Sequence, residues 1–304
     1  MNRTTIEWCL NPDGSPGYTW NPITGCLNGC PYCYARKLAN GRLKRLYISY
    51  QGDKTPLLAN YNELPLDKAE QVETDPFYPR FWEERLAELQ RGIDDADYQS
   101  YIRQKGRGIF VCDMGDLFGI GVPEQWTRRI LEVIGDDCNA MHRLYLLTKQ
   151  AQRLPEFSPF PENVYLGVTA TNQRGFLDAI YTLVHIKATI RYISFEPLLG
   201  EIPMTPEQLQ ASCDWLIIGA CTGNMVDMAW LGGKYPELAI TKWNKKWVAL
   251  PRIEWIQEIV EAADKAGIPV FLKENLVPLI AGKGTPEGLF YKDIWLRQEL
   301  PIEQ

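Results

Sequence analysis

Gly25-Cys26-Leu27-Asn28-Gly29-Cys30-Pro31-Tyr32-Cys33-Tyr34 decides how this chain is read. Three thiols fall in C-x3-C-x2-C spacing. A cubane [4Fe–4S] cluster as a rule takes four thiolates, so three from one tight loop leave one iron open. An open iron can chelate the amino and carboxylate groups of S-adenosylmethionine (SAM). Electron transfer into the sulfonium then breaks a C–S bond; the cofactor carries that chemistry and the protein positions it. The competing reading is a structural zinc site, which asks for a fourth ligand at its own regular spacing. The chain has only His142 and His185, neither near the loop in sequence, and no second C-x2-C. Three unrelated buried cysteines are the remaining alternative. Tyr32, between the last two cysteines, suits packing beside an adenine and equally suits plain loop packing.

Outward from the loop, short apolar runs alternate with helical patterns. The runs are Gly108–Asp113, Arg143–Thr148, Val164–Thr169, Arg191–Glu196, Trp215–Ala220 and Pro269–Glu274, with a first strand expected around Tyr18 to Ile23. Near-continuous apolar runs of this length are expected of buried parallel strands. Helical periodicity covers Glu124–Ile134, Asn172–Ile186 and Ile253–Ala266, the last stopped by Gly267 with Pro269 beyond. The alternation predicts an α/β fold, a partial parallel (β/α)6-type TIM barrel. Each strand ends in polar or small residues: Asp113, Thr148-Lys149, Thr169, Glu196, Gly219 and Lys273-Glu274-Asn275. The C-terminal strand edge is where such barrels do chemistry. The chain is expected to be one domain over 1–304. Residues 50–105 read as an insertion with a helical Phe81–Arg91. Residues 222–251, rich in Gly, Pro and Trp, read as an irregular lid or substrate loop, and 276–304 as a C-terminal extension.

Composition excludes several classes. The chain has 304 residues, 45% hydrophobic and 23% charged, as in ordinary globular proteins. No apolar run reaches the roughly 18 residues a membrane helix needs, so no membrane association is expected. Met1–Trp8 contain no apolar leader core, which points to the cytoplasm. A net charge of −6 offers no general attraction for nucleic acid. Eight cysteines are too few for a disulfide scaffold at this length; clustered thiols in a cytoplasmic chain read as metal or redox chemistry.

The three-cysteine loop, with its aromatic before the last cysteine and its place after a first strand, resembles the signature of the radical SAM superfamily. Further stretches carry the resemblance along the chain: Ile6-Glu7-Trp8, Trp20-Asn21-Pro22-Ile23-Thr24-Gly25-Cys26, Asp113-Met114-Gly115-Asp116-Leu117-Phe118, Leu147-Thr148-Lys149, Leu166-Gly167-Val168, Ser194-Phe195-Glu196-Pro197-Leu198-Leu199-Gly200 and Phe271-Leu272-Lys273. As a set they are similar to a phage- and prophage-associated radical-SAM-like family of unknown function. Many of its members have a longer gap between the first two cysteines, whereas this chain has the standard radical SAM spacing. The triplet alone also resembles that of spore photoproduct lyase, a radical SAM enzyme of DNA repair.

The resemblance implies a [4Fe–4S] cluster on Cys26, Cys30 and Cys33, SAM as cofactor, and an electron donor of flavodoxin or ferredoxin type as partner. It implies that Asp116 accepts from the methionine ammonium, where the common pattern is Gly-Gly-Glu; a helix N-cap is the plain alternative. It implies that Thr169 and Glu196 hold the ribose hydroxyls and the methionine carboxylate, and that Gly219 lets the adenine approach. An ion pair of Glu196 with Lys149 or Lys273 is the plain alternative. Lys149 and Lys273, at strand ends, suit a carboxylate or phosphate of cofactor or substrate. Cys221, past the sixth strand, suits a hydrogen-atom donor or a small buried residue. Aromatics interleave with cations in Trp230…Lys234-Tyr235…Lys242-Trp243-Asn244-Lys245-Lys246-Trp247 and from Arg36-Lys37 to Tyr47. Such surfaces suit single-stranded nucleic acid or a flipped base, or an ordinary loop. The expected substrate is a nucleobase or nucleotide in DNA, modified or repaired. The alternatives are a small metabolite or peptide, or a zinc- or cluster-stabilised binding protein without turnover.

Overall fold

The computed structural model describes residues 1–48, 56–59, 74–90, 106–280 and 296–301. Most of the expected insertion at 50–105, and the expected extension beyond residue 280 save 296–301, lie outside the described residues. The fold is mixed α/β with a mostly parallel central sheet. The chain divides into two compact units, Met1–Leu166 with Lys187–Thr189, and Gly167–Ile186 with Ile190–Gln304.

The first unit holds β1 (Asn2–Arg3), β2 (Tyr18–Trp20), β3 (Ile23–Thr24), β4 (Leu57–Leu58), β5 (Arg80–Phe81), β6 (Gly108–Val111) and β7 (Arg143–Thr148). β1 runs antiparallel to β2, while β2, β6 and β7 pair in parallel. Ile109, Val111, Leu144, Tyr145 and Leu146 are buried, which is why these runs carry no polar alternation. The helix Glu124–Ile134 presents Trp126, Thr127, Ile130, Val133 and Ile134 as one buried face. The expected first strand over Tyr18–Ile23 is broken at Asn21-Pro22. Its last part, β3, pairs with β5 in a separate small antiparallel sheet. β6 stops at Val111, short of the expected Asp113, because Cys112 takes a left-handed backbone (φ 61).

β8 (Val164–Thr169) supplies three residues to each unit and is buried throughout. The second unit continues with β9 (Ile190–Phe195), β10 (Trp215–Ile218), β11 (Cys221–Gly223), β12 (Ala239–Trp243), β13 (Lys246–Leu250) and β14 (Val270–Leu272). β9, β10 and β14 are parallel, with Phe195 beside Ile218 and Ile218 beside Leu272. That register brings Glu196, Gly219 and Lys273 to one strand edge. At β8, a Cβ on Gly167 would lie 2.2 Å from the Tyr192 ring, so only glycine admits that ring. Asn172 caps the helix Gln173–Leu183, a Thr205–Gln208 capping box starts Pro206–Ser212, and left-handed Gly267 ends Ile253–Ala266.

Residues 222–251 are regular rather than irregular. They form the helix Met225–Lys234, capped by Asn224, and an antiparallel sheet in the order β11-β13-β12. Gly232 and Gly233, which read as breakers, lie inside the helix. A Cβ on Gly232 would sit 2.8 Å from Ile240, so the glycine allows helix and hairpin to close. Asn244 and Lys245, both at positive φ, make the two-residue turn between β12 and β13.

Candidate functional site

The cysteine loop belongs to the first unit. The Gly25 N–H donates to Met114 O (2.8 Å) and the Cys26 N–H to Phe77 O (2.9 Å). Gly25 has φ +87, and a Cβ there would lie 2.3 Å from the Tyr78 carbonyl oxygen, so the approach to Cys26 requires glycine. Gly29, φ +70, turns the chain again with open space around it. Cys33 is the N-cap of the helix Tyr34–Asn40.

This geometry gives each sulfur an N–H donor. The Asn28 backbone donates to Cys26 Sγ (3.4 Å), the Asn28 side-chain Nδ2 to Cys30 Sγ (3.3 Å), and the Arg36 backbone to Cys33 Sγ (3.4 Å). Sulfurs that accept hydrogen bonds are suited to carry negative charge. Behind them Cys26 and Cys33 pack on Ala35, Ala39, Tyr47, Phe77, Trp82 and Met114. Burial pushes the Cys26 thiol up to about 12, and the nearby Asp116 charge pushes the same way. A thiolate at Cys26 therefore needs a cation beside it. The Arg36 guanidinium braces the loop: it donates to Cys26 O (3.0 Å), pairs with Asp75 (3.3 Å) and lies over Phe77.

Among the described residues, no three His, Cys, Asp or Glu side chains converge as ligands of a single ion. A cubane does not require that convergence, because each thiolate binds a different iron, whereas tetrahedral zinc does. Three sulfur donors on one loop, each hydrogen-bonded and two set against an apolar floor, fit a cluster with one free iron. Tyr32 is half-buried on the same loop.

Asp116 is buried and fully engaged. Its carboxylate accepts from the Thr148 hydroxyl (2.8 and 3.0 Å), the Phe118 N–H (3.0 Å) and the Lys149 N–H (3.3 Å). Burial still raises its pKa, with those bonds opposing. It turns the backbone toward Phe118 and ties the end of β6 to the end of β7. Asp113, also raised by burial, accepts from Asn21 Nδ2 (2.5 Å), and the Tyr34 hydroxyl donates to the Asp113 carbonyl (2.7 Å). Lys149 is half-buried beside Asp116.

In the second unit Lys273 Nζ donates to Glu196 Oε1 (2.5 Å), the pair weighed as the plain alternative. A Cβ on Gly219 would lie 3.0 Å from Lys273 Cδ and 3.2 Å from Glu196 Cδ, so the glycine sits directly beneath this pair. The buried Asn275 amide clamps Ala220, accepting from its N–H (3.0 Å) and donating to its carbonyl (2.8 Å). Thr169 ends β8 and is buried. Cys221 is buried and opens β11 opposite Ala249.

Sequence-distant residues are thus gathered into two sets, one per unit: the cysteine loop with Asp116, Thr148 and Lys149, and Glu196 with Gly219 and Lys273. The sequence singles out neither Asn28 nor Gln150 as a site residue, and places Arg36 only in a basic surface. The available signals were an amide inside the cysteine loop, an arginine three residues past Cys33, and a glutamine just past a strand end.

A family model described as "Protein of unknown function (DUF5131)" matches residues 3–231. No curated protein matches the chain in sequence. Among solved structures, a tyrosine-to-phenylalanine variant of spore photoproduct lyase is similar at TM-score 0.51 and 12% identity, over 89% of this chain and 80% of that one. A cysteine-to-alanine variant with dinucleoside spore photoproduct matches at TM-score 0.49 and 13% identity, over 90% and 81%. At such identity the likeness is one of fold.

Proposed function

Because the chain belongs to the DUF5131 family of proteins of unknown function, its chemistry is read from its own residues, and we propose that it is a radical SAM enzyme acting on a nucleobase or nucleotide within DNA. The observation that carries this reading is the cysteine loop, whose three sulfurs each accept an N–H. When bound, a [4Fe–4S] cluster would supply the electron for reductive cleavage of SAM and so the power to abstract hydrogen from a substrate.

The protein's own groups bind and orient. Cys26, Cys30 and Cys33 hold the irons. Arg36 fixes the carbonyl between Cys26 and the rest of the loop. Tyr32 packs on the adenine. Asp116 places a negative charge that favours the methionine ammonium, and Lys149 takes a carboxylate. Glu196 bonds the ribose diol, Thr169 assists it, and Lys273 orients Glu196 by the bond between them. Gly219 leaves room for that pair, and the adenine approaches the same strand edge. The Cys221 thiol gives a hydrogen atom to the substrate radical, and the thiyl radical left behind takes back an electron from the electron donor and a proton from solvent. A flavodoxin- or ferredoxin-type protein delivers the electron.

The nucleic acid substrate is supported by the segment between β11 and β13. Trp230 is half exposed with Lys234 Nζ 5.3 Å from its ring centre, and Lys242, Lys245 and Lys246 are exposed nearby in sequence. Exposed rings beside cations stack bases and neutralise phosphates. The test is direct. Anaerobic protein reconstituted with iron and sulfide, given dithionite and SAM, releases 5′-deoxyadenosine, and Cys30→Ala does not. Release by Cys30→Ala at the wild-type rate refutes the ligand set. Oligonucleotide binding that weakens steeply with salt supports the substrate class, and no binding at low salt refutes it.

A further inference from the structure

We propose that Asn28 and Gln150 form a directional amide relay that sets the reduction potential of the cluster, an inference that rests on the cluster reading above. Asn28 donates to two of the cysteine sulfurs, through its backbone to Cys26 and through its side chain to Cys30. A side-chain amide can present either its oxygen or its NH2. Here the contacts run in one direction. Gln152 Nε2 donates to Gln150 Oε1 (2.6 Å), so the NH2 of Gln150 is the end that faces onward. That NH2 donates to Asn28 Oδ1. The Asn28 oxygen is thereby occupied, and its NH2 is the end turned toward Cys30.

The relay is anchored. The Gln150 backbone N–H donates to Thr148 Oγ1 (2.9 Å), and the Thr148 hydroxyl donates to the buried Asp116 carboxylate. Gln150 itself is buried, so its amide does not turn freely. Gly29, in the left-handed region, reverses the chain so that Cys30 comes back within reach of the Asn28 side chain. The relay thus points an N–H at Cys30 from a strand end far along the sequence.

Hydrogen bonds to cluster sulfurs are one of the levers on cluster potential. A donor aimed at a thiolate stabilises the more negative, reduced state, so it raises the potential. Asn28 acts on the cluster directly, and Gln150 is a positioning residue that acts through Asn28.

The experiment is a redox titration, followed by electron paramagnetic resonance, of anaerobically reconstituted wild type, Asn28→Ala, Gln150→Leu and the double variant. Asn28→Ala is expected to disfavour reduction about tenfold, a fall of about 59 mV for one electron. Gln150→Leu keeps the backbone bond to Thr148 and should give a smaller fall in the same direction. In the Asn28→Ala background Gln150→Leu should add nothing, because the residue through which it acts is gone. An unchanged potential in Asn28→Ala overturns the proposal, as does a Gln150→Leu shift of equal size in both backgrounds. Should Asn28→Ala assemble no cluster, Gln150→Leu decides alone, and an unchanged potential there overturns the relay. A wild-type chain that builds no iron–sulfur cluster overturns the underlying reading, an outcome distinct from a cluster whose potential ignores both substitutions.

Discussion

Gly25→Ala separates two costs that the cysteine loop imposes on its backbone. At φ +87 an alanine enters a region that L-residues avoid, at about 1–3 kcal/mol. Its Cβ would also lie 2.3 Å from Tyr78 O, 2.6 Å from Tyr78 C and 2.7 Å from Phe77 O. Those are backbone atoms, and they cannot swing aside as a side-chain tip would. Overpacking of this kind costs a further ~1–3 kcal/mol. The combined loss is about 2–6 kcal/mol, and at a urea dependence near 2 kcal/mol per molar the unfolding midpoint should fall by about 1–3 M. Gly29→Ala is the internal control, since Gly29 has φ +70 but open space, so only the conformational cost applies. Gly29→Asn should be nearly silent, because asparagine tolerates the left-handed region. Urea unfolding followed by tryptophan fluorescence reads all three. The Gly25→Ala protein should also bind less iron, because the Cys26 N–H bond to Phe77 O sits against the clash. Equal midpoints for Gly25→Ala and Gly29→Ala would refute the claim that backbone crowding makes Gly25 obligatory.

Three further outcomes follow from particular contacts. Gly167→Ala puts a methyl 2.2 Å from the Tyr192 ring and should lower stability by about 1–3 kcal/mol, read by urea unfolding; a neutral result would show that the ring can move. Gly219→Ala should push Lys273 and Glu196 apart and weaken SAM binding about tenfold by calorimetry, the scale of one charge-assisted hydrogen bond; unchanged affinity would detach this pair from the cofactor. Burial lowers His142 from 6.5 to about 4, with the Arg107 charge adding to the effect. The unfolded chain therefore takes up a proton that the folded chain refuses. Stability should be lost as pH falls from about 6.5 to about 4, and His142→Asn should flatten that part of the profile in acid-unfolding curves.

Much of the fold was legible because the strands of its central parallel sheet are largely buried on both faces. Arg143–Thr148 and Val164–Thr169 carry continuous apolar runs and appear at those bounds. The helix Ile253–Ala266 announces its end through Gly267. Strand edges were less legible where the backbone departs from extension, as at Cys112, whose positive φ no residue preference signals. The helix and hairpin at 225–250 were hidden by Gly232-Gly233. Their meaning, close approach to Ile240, exists only once the hairpin is folded. At the candidate site, spacing alone singles out the three cysteines as one loop. Which cation pairs with Glu196 could not, because the choice of Lys273 follows from the register of β9, β10 and β14. The Asn28–Gln150 contact was equally out of reach, since it spans 122 positions and depends on which end of each amide faces its neighbour.

The most direct test of the account is metal content and spin state together. Anaerobically reconstituted protein should hold about four irons per chain. On reduction it should give a [4Fe–4S]⁺ resonance that shifts when SAM is added, and Cys26→Ala, Cys30→Ala and Cys33→Ala should each abolish it. A colourless chain carrying one zinc, or a cluster resonance indifferent to SAM, would contradict it.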